Sequence, residues 1–229
     1  MAAMTEAIWP LAGLRVHTPS LTLRHITDEL AAELAVLAAR GIHDPATMPF
    51  SEPWTDVSSP QLERNTLQYF WRCRAEVTAL HWDLPLAVMV GGIPVGVCTI
   101  HAEEFAARRS VTTGSWLGLH HQGQGIGREM RHAALHLIFA GLHAEEAVTR
   151  LWHDNAASRG VTASLPYAQT GITQELRRDR LDSMITFAMR RRQWKTICRS
   201  DIYLSGIDAA VAQLGATSPH RGDGEGQDM

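Results

Sequence analysis

Six residues, Gln122-Gly-Gln-Gly-Ile-Gly127, carry the densest chemical signal in this chain of 229 residues. Glycines at alternate positions let the backbone curl closely and turn several N–H groups toward one point, just where an apolar helical periodicity begins. Free N–H groups at a helix start, reinforced by the helix dipole, suit an anion such as a diphosphate. Arg128, one residue further on, adds a charge-assisted contact or is simply solvated. Two familiar phosphate loops do not fit. A P-loop needs Gly-Lys-Ser/Thr, where the chain has Gly127-Arg128-Glu129. A dinucleotide fingerprint needs GxGxxG after the first strand of a βαβ unit, whereas the spacing here is GxGxG after three strands that read as antiparallel.

Other residues could do chemistry, each with a plainer reading beside it. His132 and His136 are four apart, with His143 beyond them, which is a metal-like spacing. Their phase differs from the Met130, Ala133, Leu137 stripe, so a solvated rim position explains them and no metal is expected. His120 and His121 beside the loop point to opposite faces and are read the same way. Between the first two helices, Met48 to Asp56 mixes Phe50 and Trp54 with Glu52 and Asp56 among prolines. That mixture suits a cationic amine, or else a hydrophobic plug. Trp71, Trp82 and Trp116 read as core.

The elements that must hold these residues follow from periodicity and punctuation. Ser20–Arg24 alternates as a strand, and Thr27 caps a helix with Leu30, Leu34 and Leu37 on one face, stopped by Gly41. Ser59-Pro60 opens a second helix carrying Leu67, Phe70 and Trp71. Leu84–Val90 and Pro94–His101 form a hairpin across Gly91-Gly92, and Ser110–Leu119 is a third strand of an antiparallel meander. After the glycine loop comes an amphipathic helix to Gly141, a strand Ala147–Trp152, and a short helix capped by Asp154 or Asn155. Extended segments at Tyr167–Gly171 and Ser183–Met189 follow, and Ile202–Leu214 reads as a terminal helix.

With this order in hand, the chain resembles the GNAT N-acetyltransferases, in the branch similar to the ribosomal-protein N-terminal (Rim-type) acetyltransferases. Gln122, Gly125 and Gly127 match the signature Gln/Arg-x-x-Gly-x-Gly/Ala. Asn155-Ala-Ala-Ser158 stands where that branch has Asn-x-x-Ser, and the element order agrees from about Ser20 to Trp194. The resemblance implies an α+β GNAT fold, a mixed, mostly antiparallel sheet splayed at the central strand and flanked by helices. Coenzyme A, as acetyl-CoA, would lie in the splay, with its thioester near Trp116, Leu117, Gly118 and Leu119. Its diphosphate would sit over Gln122, Gly123, Gln124, Gly125, Ile126, Gly127 and Arg128. Asn155 would hold the pantetheine arm or a water, and Ser158 would protonate the departing thiolate. Leu165-Pro166-Tyr167 departs from the usual Leu-Gly-Tyr/Phe, and the proline removes a donor at the start of the next strand. Glu103, Glu104, His153 and Asp154, at strand ends, are the general-base candidates, with Glu104 chosen. Phe50, Glu52, Trp54 and Asp56 would bind the acceptor.

Composition bounds the rest. A formal charge of -3 gives no basic field for nucleic acid. Cys73, Cys98 and Cys198 have no paired spacing, which argues against disulfides and fits a cytoplasmic protein. No run of about twenty apolar residues predicts a membrane span. The expected organisation is an N-terminal arm (1–19), an acetyltransferase domain (20–195), a C-terminal helical extension (196–215) and a disordered tail (216–229). The expected activity is acetyl transfer to a primary amine by direct attack in a ternary complex. The acceptor would be a small metabolite, an aminated antibiotic or a protein N-terminus, and a homodimer is compatible with the sequence. A non-catalytic acyl-CoA-binding sensor is the alternative.

Overall fold

A computed structural model describes residues 2–217. The chain opens with α1 (Ala2–Ile8), β1 (Arg15–His17), β2 (Thr22–His25), α2 (Asp28–Ala39) and α3 (Gln61–Ala75). The hairpin β3 (His81–Val90) and β4 (Ile93–Glu103) follows, then α4 (Phe105–Arg108), β5 (Ser110–Leu117) and α5 (Ile126–His136), which runs into a π-helical turn. The chain closes with β6 (Glu146–Trp152), α6 (Ala156–Ala163), β7 (Ala168–Arg177), β8 (Arg180–Arg190), α7 (Arg191–Trp194), β9 (Tyr203–Ser205) and α8 (Ile207–Gln213).

All nine strands form one open sheet in the order β7-β8-β6-β5-β4-β3-β2-β1-β9. Only β5 and β6 pair in parallel; every other neighbouring pair is antiparallel. Strand alternation assigns the faces. Trp82, Leu84, Leu86 and Val88 point with Val111 and Leu117 toward buried Met130 and Ala133 of α5 and Leu137 of the π-helical turn that follows it. Ala87, Met89 and Val97 point the other way, against Leu30, Ala31 and Leu34 of α2 and Phe70 of α3.

Local chemistry sets the helix ends. The Thr27 hydroxyl accepts from the Leu30 amide, a cap that contributes about 1 kcal/mol, and Asp28 and Glu29 add negative charge to the first turn. Gly41, at φ +107°, lets the chain leave α2.

Three expectations change. Trp71 is 49% exposed, because Leu62, Thr66, Phe70 and Cys73 make the buried stripe of α3. The segments read as an arm and a helical extension hold β1 and β9, which pair with each other and widen the sheet. Ala216 and Thr217, expected in the disordered tail, belong to the fold: Ala216 is fully buried and the Thr217 carbonyl accepts from Arg109 at 2.7 Å. Residues from 218 onward lie outside the described part of the chain.

Candidate active site

The parallel ladder between β5 and β6 runs from Ser110↔Glu146 to Thr113↔Thr149 and stops there. β5 continues beside β4 as far as Leu117, and β6 continues beside β8 as far as Trp152. Gly114–Leu117 and Arg150–Trp152 therefore part like the arms of a V, and each presents one edge that is not paired to the other. Hydrogen bonds hold the vertex. The Thr113 hydroxyl donates to the Val148 carbonyl at 3.2 Å, and the buried Arg131 guanidinium of α5 donates to that same hydroxyl.

Just beyond the open end of β5, the chain makes a 3-10 turn at Leu119–His121 and enters the glycine loop. The Gln122 side chain donates to the carbonyls of Ile42 (2.7 Å) and Leu117 (2.8 Å). Gln122 is thus a strut that joins the end of β5 to the turn after α2, a correction to its expected place against a diphosphate. Gly123 (φ +72°) and Gly125 (φ +83°) adopt left-handed conformations that strain any other residue. Within the described residues, no hydrogen bond is donated by the amides of Gly123 to Gly127. The electrostatics at this helix start favour an anion: Glu129 is held by Arg199 at 2.6 Å, and Arg128 is exposed. Gln124 is exposed and its side chain donates back to the His120 carbonyl.

Across the opening stands α6. A Cβ on Gly127 would meet the Val161 side chain at 3.4 Å, so α5 and α6 touch at the loop. Asn155 caps α6 by accepting the Ser158 amide at 3.0 Å, which leaves its NH2 free to donate. Ser158 is half-buried, one turn before Val161, and its hydroxyl has no partner among the described residues.

On the sheet face opposite α5, the loop between α2 and α3 builds an aromatic row. Ring centroids run His43 to Phe50 at 5.6 Å, Phe50 to Trp54 at 5.3 Å and Trp54 to Trp116 at 6.2 Å. The turn between β7 and β8 ties this loop down: Arg177 donates to the Met48 carbonyl, and Arg178 grips Asp56 through two bonds of 2.7 and 2.8 Å. Asp56 is therefore committed to an arginine that holds its carboxyl below the usual range, which corrects its expected role toward an acceptor. Glu52 is exposed with no ion pair among the described residues.

Between Ala46–Met48 and the β7–β8 turn lies an open cavity of about 590 Å³, lined also by Asp154, Arg177 and Asp182. His153, at the end of β6, brings Nδ1 within 2.8 Å of an Asp182 oxygen. Arg177 bridges Asp154 and Asp182, both at 2.8 Å, and stands 5.2 Å over the Trp152 ring. Sequence reading missed Arg177, Trp152 and Asp182, because a turn residue, a core residue and a strand carboxylate carry no periodic mark.

Glu104 is a correction. It follows β4 beyond His101, which pairs with Thr112, so it lies behind the vertex, and its carboxylate pairs with Arg108. Glu103 is displaced in the same way. His132 and His136 have lowered affinities for protons through burial and join no metal-like group among the described residues.

The matching family model is that of the GNAT acetyltransferase domain, over residues 20–166. Among solved structures, Mycobacterium smegmatis RimJ in complex with CoA-disulfide superposes at a TM-score of 0.63 with 19% identity, covering 89% of this chain and 95% of that one. RimL, a ribosomal alpha-N-protein acetyltransferase, gives 0.61 at 17% identity over 76% and 94% of the two chains. The microcin self-immunity acetyltransferase MccE, in complex with acetyl-CoA and AMP, gives 0.57 at 16% over 75% and 93%. A parted β5–β6 pair, a glycine loop of unspent amides and a family match over more than half the chain identify it as a member of the GNAT family, an acetyltransferase whose donor is acetyl-CoA.

Proposed function

We propose that this acetyltransferase acetylates a primary amine by direct attack within a ternary complex, the amine entering from the cavity beside Met48 and Asp182. The observation that carries this reading is the adjacency of two features: the open V, and a row of aromatic rings that ends on Trp116 of β5 itself. Acetyl-CoA supplies a thioester carbon open to nucleophilic attack. The amides of Gly123–Gly127 would hold its diphosphate, and the free edge at Gly114–Leu117 would hold its pantetheine arm.

Each remaining role falls to a side chain already described. Asp182 orients His153 through Nδ1, so Nε2 is free to take a proton from the attacking amine. Phe50 and Trp54 offer π faces to an ammonium before it loses that proton. Ser158, with an unspent hydroxyl, donates a proton to the departing sulfur. Burial pushes the Cys73 and Cys98 thiols up to about 11, so neither of these two supplies a thiolate nucleophile near neutral pH.

The cavity volume lies within the range of small-ligand sites. It accommodates a compact amine, or the first residues of a protein N-terminus, as RimL's description as an alpha-N-protein acetyltransferase suggests for that enzyme. Thiol release from acetyl-CoA, measured over a panel of aliphatic amines, aminated nucleosides and short peptides, tests the reading. Turnover that vanishes in His153→Ala supports it; donor binding with no turnover on any amine favours the acyl-CoA sensor.

A further inference from the structure

Away from the acetyl-transfer site, the open end of the β3–β4 hairpin, opposite its Gly91-Gly92 turn, gathers four polar side chains on one face. His81 and Asp83 stand two apart on β3, and His101 and Glu103 stand two apart on β4. The register sets His81 opposite Glu103 and Asp83 opposite His101. Period-two alternation therefore sends all four to the same side, the face that carries Ala87 and Val97.

The ligand atoms of His81, His101 and Glu103 lie within 4.8 Å of one another. Three nitrogen and oxygen ligands about 2.0–2.2 Å from a zinc ion stand about 3.3 Å apart in a tetrahedron, so small side-chain rotations close the set. Asp83 acts as the orienting partner. Its Oδ1 accepts from His101 Nδ1 at 3.0 Å, which fixes the ring and leaves Nε2 as the ligand atom. The His81 and His101 rings meet edge-on at 5.4 Å. The backbone beneath is pinned: the His81 amide donates to the Thr78 hydroxyl at 3.0 Å, and Glu104 N–H donates to the Leu80 carbonyl.

Charge separates this group from the other cluster of similar composition. His153, Asp154 and Asp182 also lie within 4.8 Å, but Arg177 occupies that group and bonds both carboxylates. Among the described residues, neither Asp83 nor Glu103 is ion-paired with an arginine or lysine. Two imidazoles and an uncompensated carboxylate, with a second carboxylate behind one imidazole, are the donor set of a zinc-type cation, and one coordination position is left for water.

We propose that His81, His101 and Glu103 form a binding site for a divalent transition-metal ion of the zinc type, with Asp83 orienting His101, separate from the acetyl-transfer site. Such an ion joins the start of β3 to the end of β4 and so braces the open end of the hairpin behind the vertex. Binding to the folded state alone raises stability by mass action.

Titration of the full chain, stripped with a chelator, with Zn²⁺ alone tests this, read by calorimetry and by Tm. Co²⁺ in its place reports geometry through its visible absorption. One equivalent bound at micromolar affinity, with Tm rising as zinc is added, is the expected result. Both effects are expected to fall at least tenfold in His81→Ala with His101→Ala, and to persist in His153→Ala. Asp83→Asn, which keeps the fold and all three ligands, is expected to weaken binding about tenfold or more. No binding by the unaltered chain overturns the site, as does binding that survives the double variant or is lost in His153→Ala. The acetyl-transfer rate is a separate readout and is expected to be unchanged in the double variant.

Discussion

The indole rings of Trp54 and Trp116 lie 6.2 Å apart at 49°, one from the loop between α2 and α3, the other from the arm of β5 that borders the slot. In the proposed ternary complex, an acceptor gripped by Phe50 and Trp54 would thereby be held beside the strand that borders the donor. Trp54→Ala is expected to raise the acceptor KM about three- to tenfold, the worth of one aromatic contact, with coenzyme A affinity unchanged. Equal loss of donor and acceptor binding would make the loop mere packing.

Gly125 occupies the left-handed region at φ +83° with open space where a Cβ would stand. Crowding is thus excluded as the cause of any defect there; conformation and charge remain. Gly125→Ala is expected to weaken coenzyme A binding about tenfold through about 1–2 kcal/mol of backbone strain. Gly125→Asp is expected to weaken it further by adding repulsion. Calorimetry on the two variants separates the contributions, and unaltered affinity in both would remove the loop from the donor site.

Ser158 and Asn155 should separate kinetically. Ser158→Ala removes the proposed proton donor to the departing sulfur, so kcat is expected to fall about a hundredfold while the dissociation constant of acetyl-CoA barely moves. Asn155→Ala removes a helix cap as well and is expected to cost about 1 kcal/mol of stability, visible as a lowered Tm. A fully active Ser158→Ala protein would leave that serine as a helix residue and nothing more.

Burial, with Arg74 beside it, pushes the His25 imidazole down to about 4. The folded state therefore prefers neutral His25, whereas the unfolded chain protonates it near 6.5. Its contribution, on the order of 3 kcal/mol, is complete above about pH 6.5 and is lost as pH falls through 4. Denaturant midpoints between pH 7 and 4 are expected to drop in the natural chain and to drop less in His25→Gln. Parallel curves for the two would place the acid sensitivity elsewhere.

The parts legible in the sequence are those with a local cause. Thr27 marked its helix because a cap acts within three residues, and Gly91-Gly92 marked the hairpin because a tight turn needs glycine. The alternating glycines give the loop a local mark, whereas the partners of the Gln122 side chain, Ile42 and Leu117, are set by tertiary approach. Charge alone points Asp56 toward an amine, because its partner Arg178 stands 122 residues away. Glu104 failed for a register reason. A strand end is near the slot or behind it according to which neighbour it pairs with, and pairing has no local mark.

The pairing of β1 with β9 sets Arg15 against Ser205, across 190 residues of chain. During synthesis at roughly 5–20 residues per second, β1 leaves the ribosome about 10–40 s before its partner exists. Until then β1 is the outermost strand on that side of any nascent sheet, and the indole of Trp82, which ends bonded to the Leu214 carbonyl at 3.0 Å, has no acceptor. That edge of the sheet is therefore completed only once residues 203–205 have emerged, and a ribosome-stalled chain ending before residue 203 should remain protease-sensitive at β1 while the β3–β4–β5 meander is already protected.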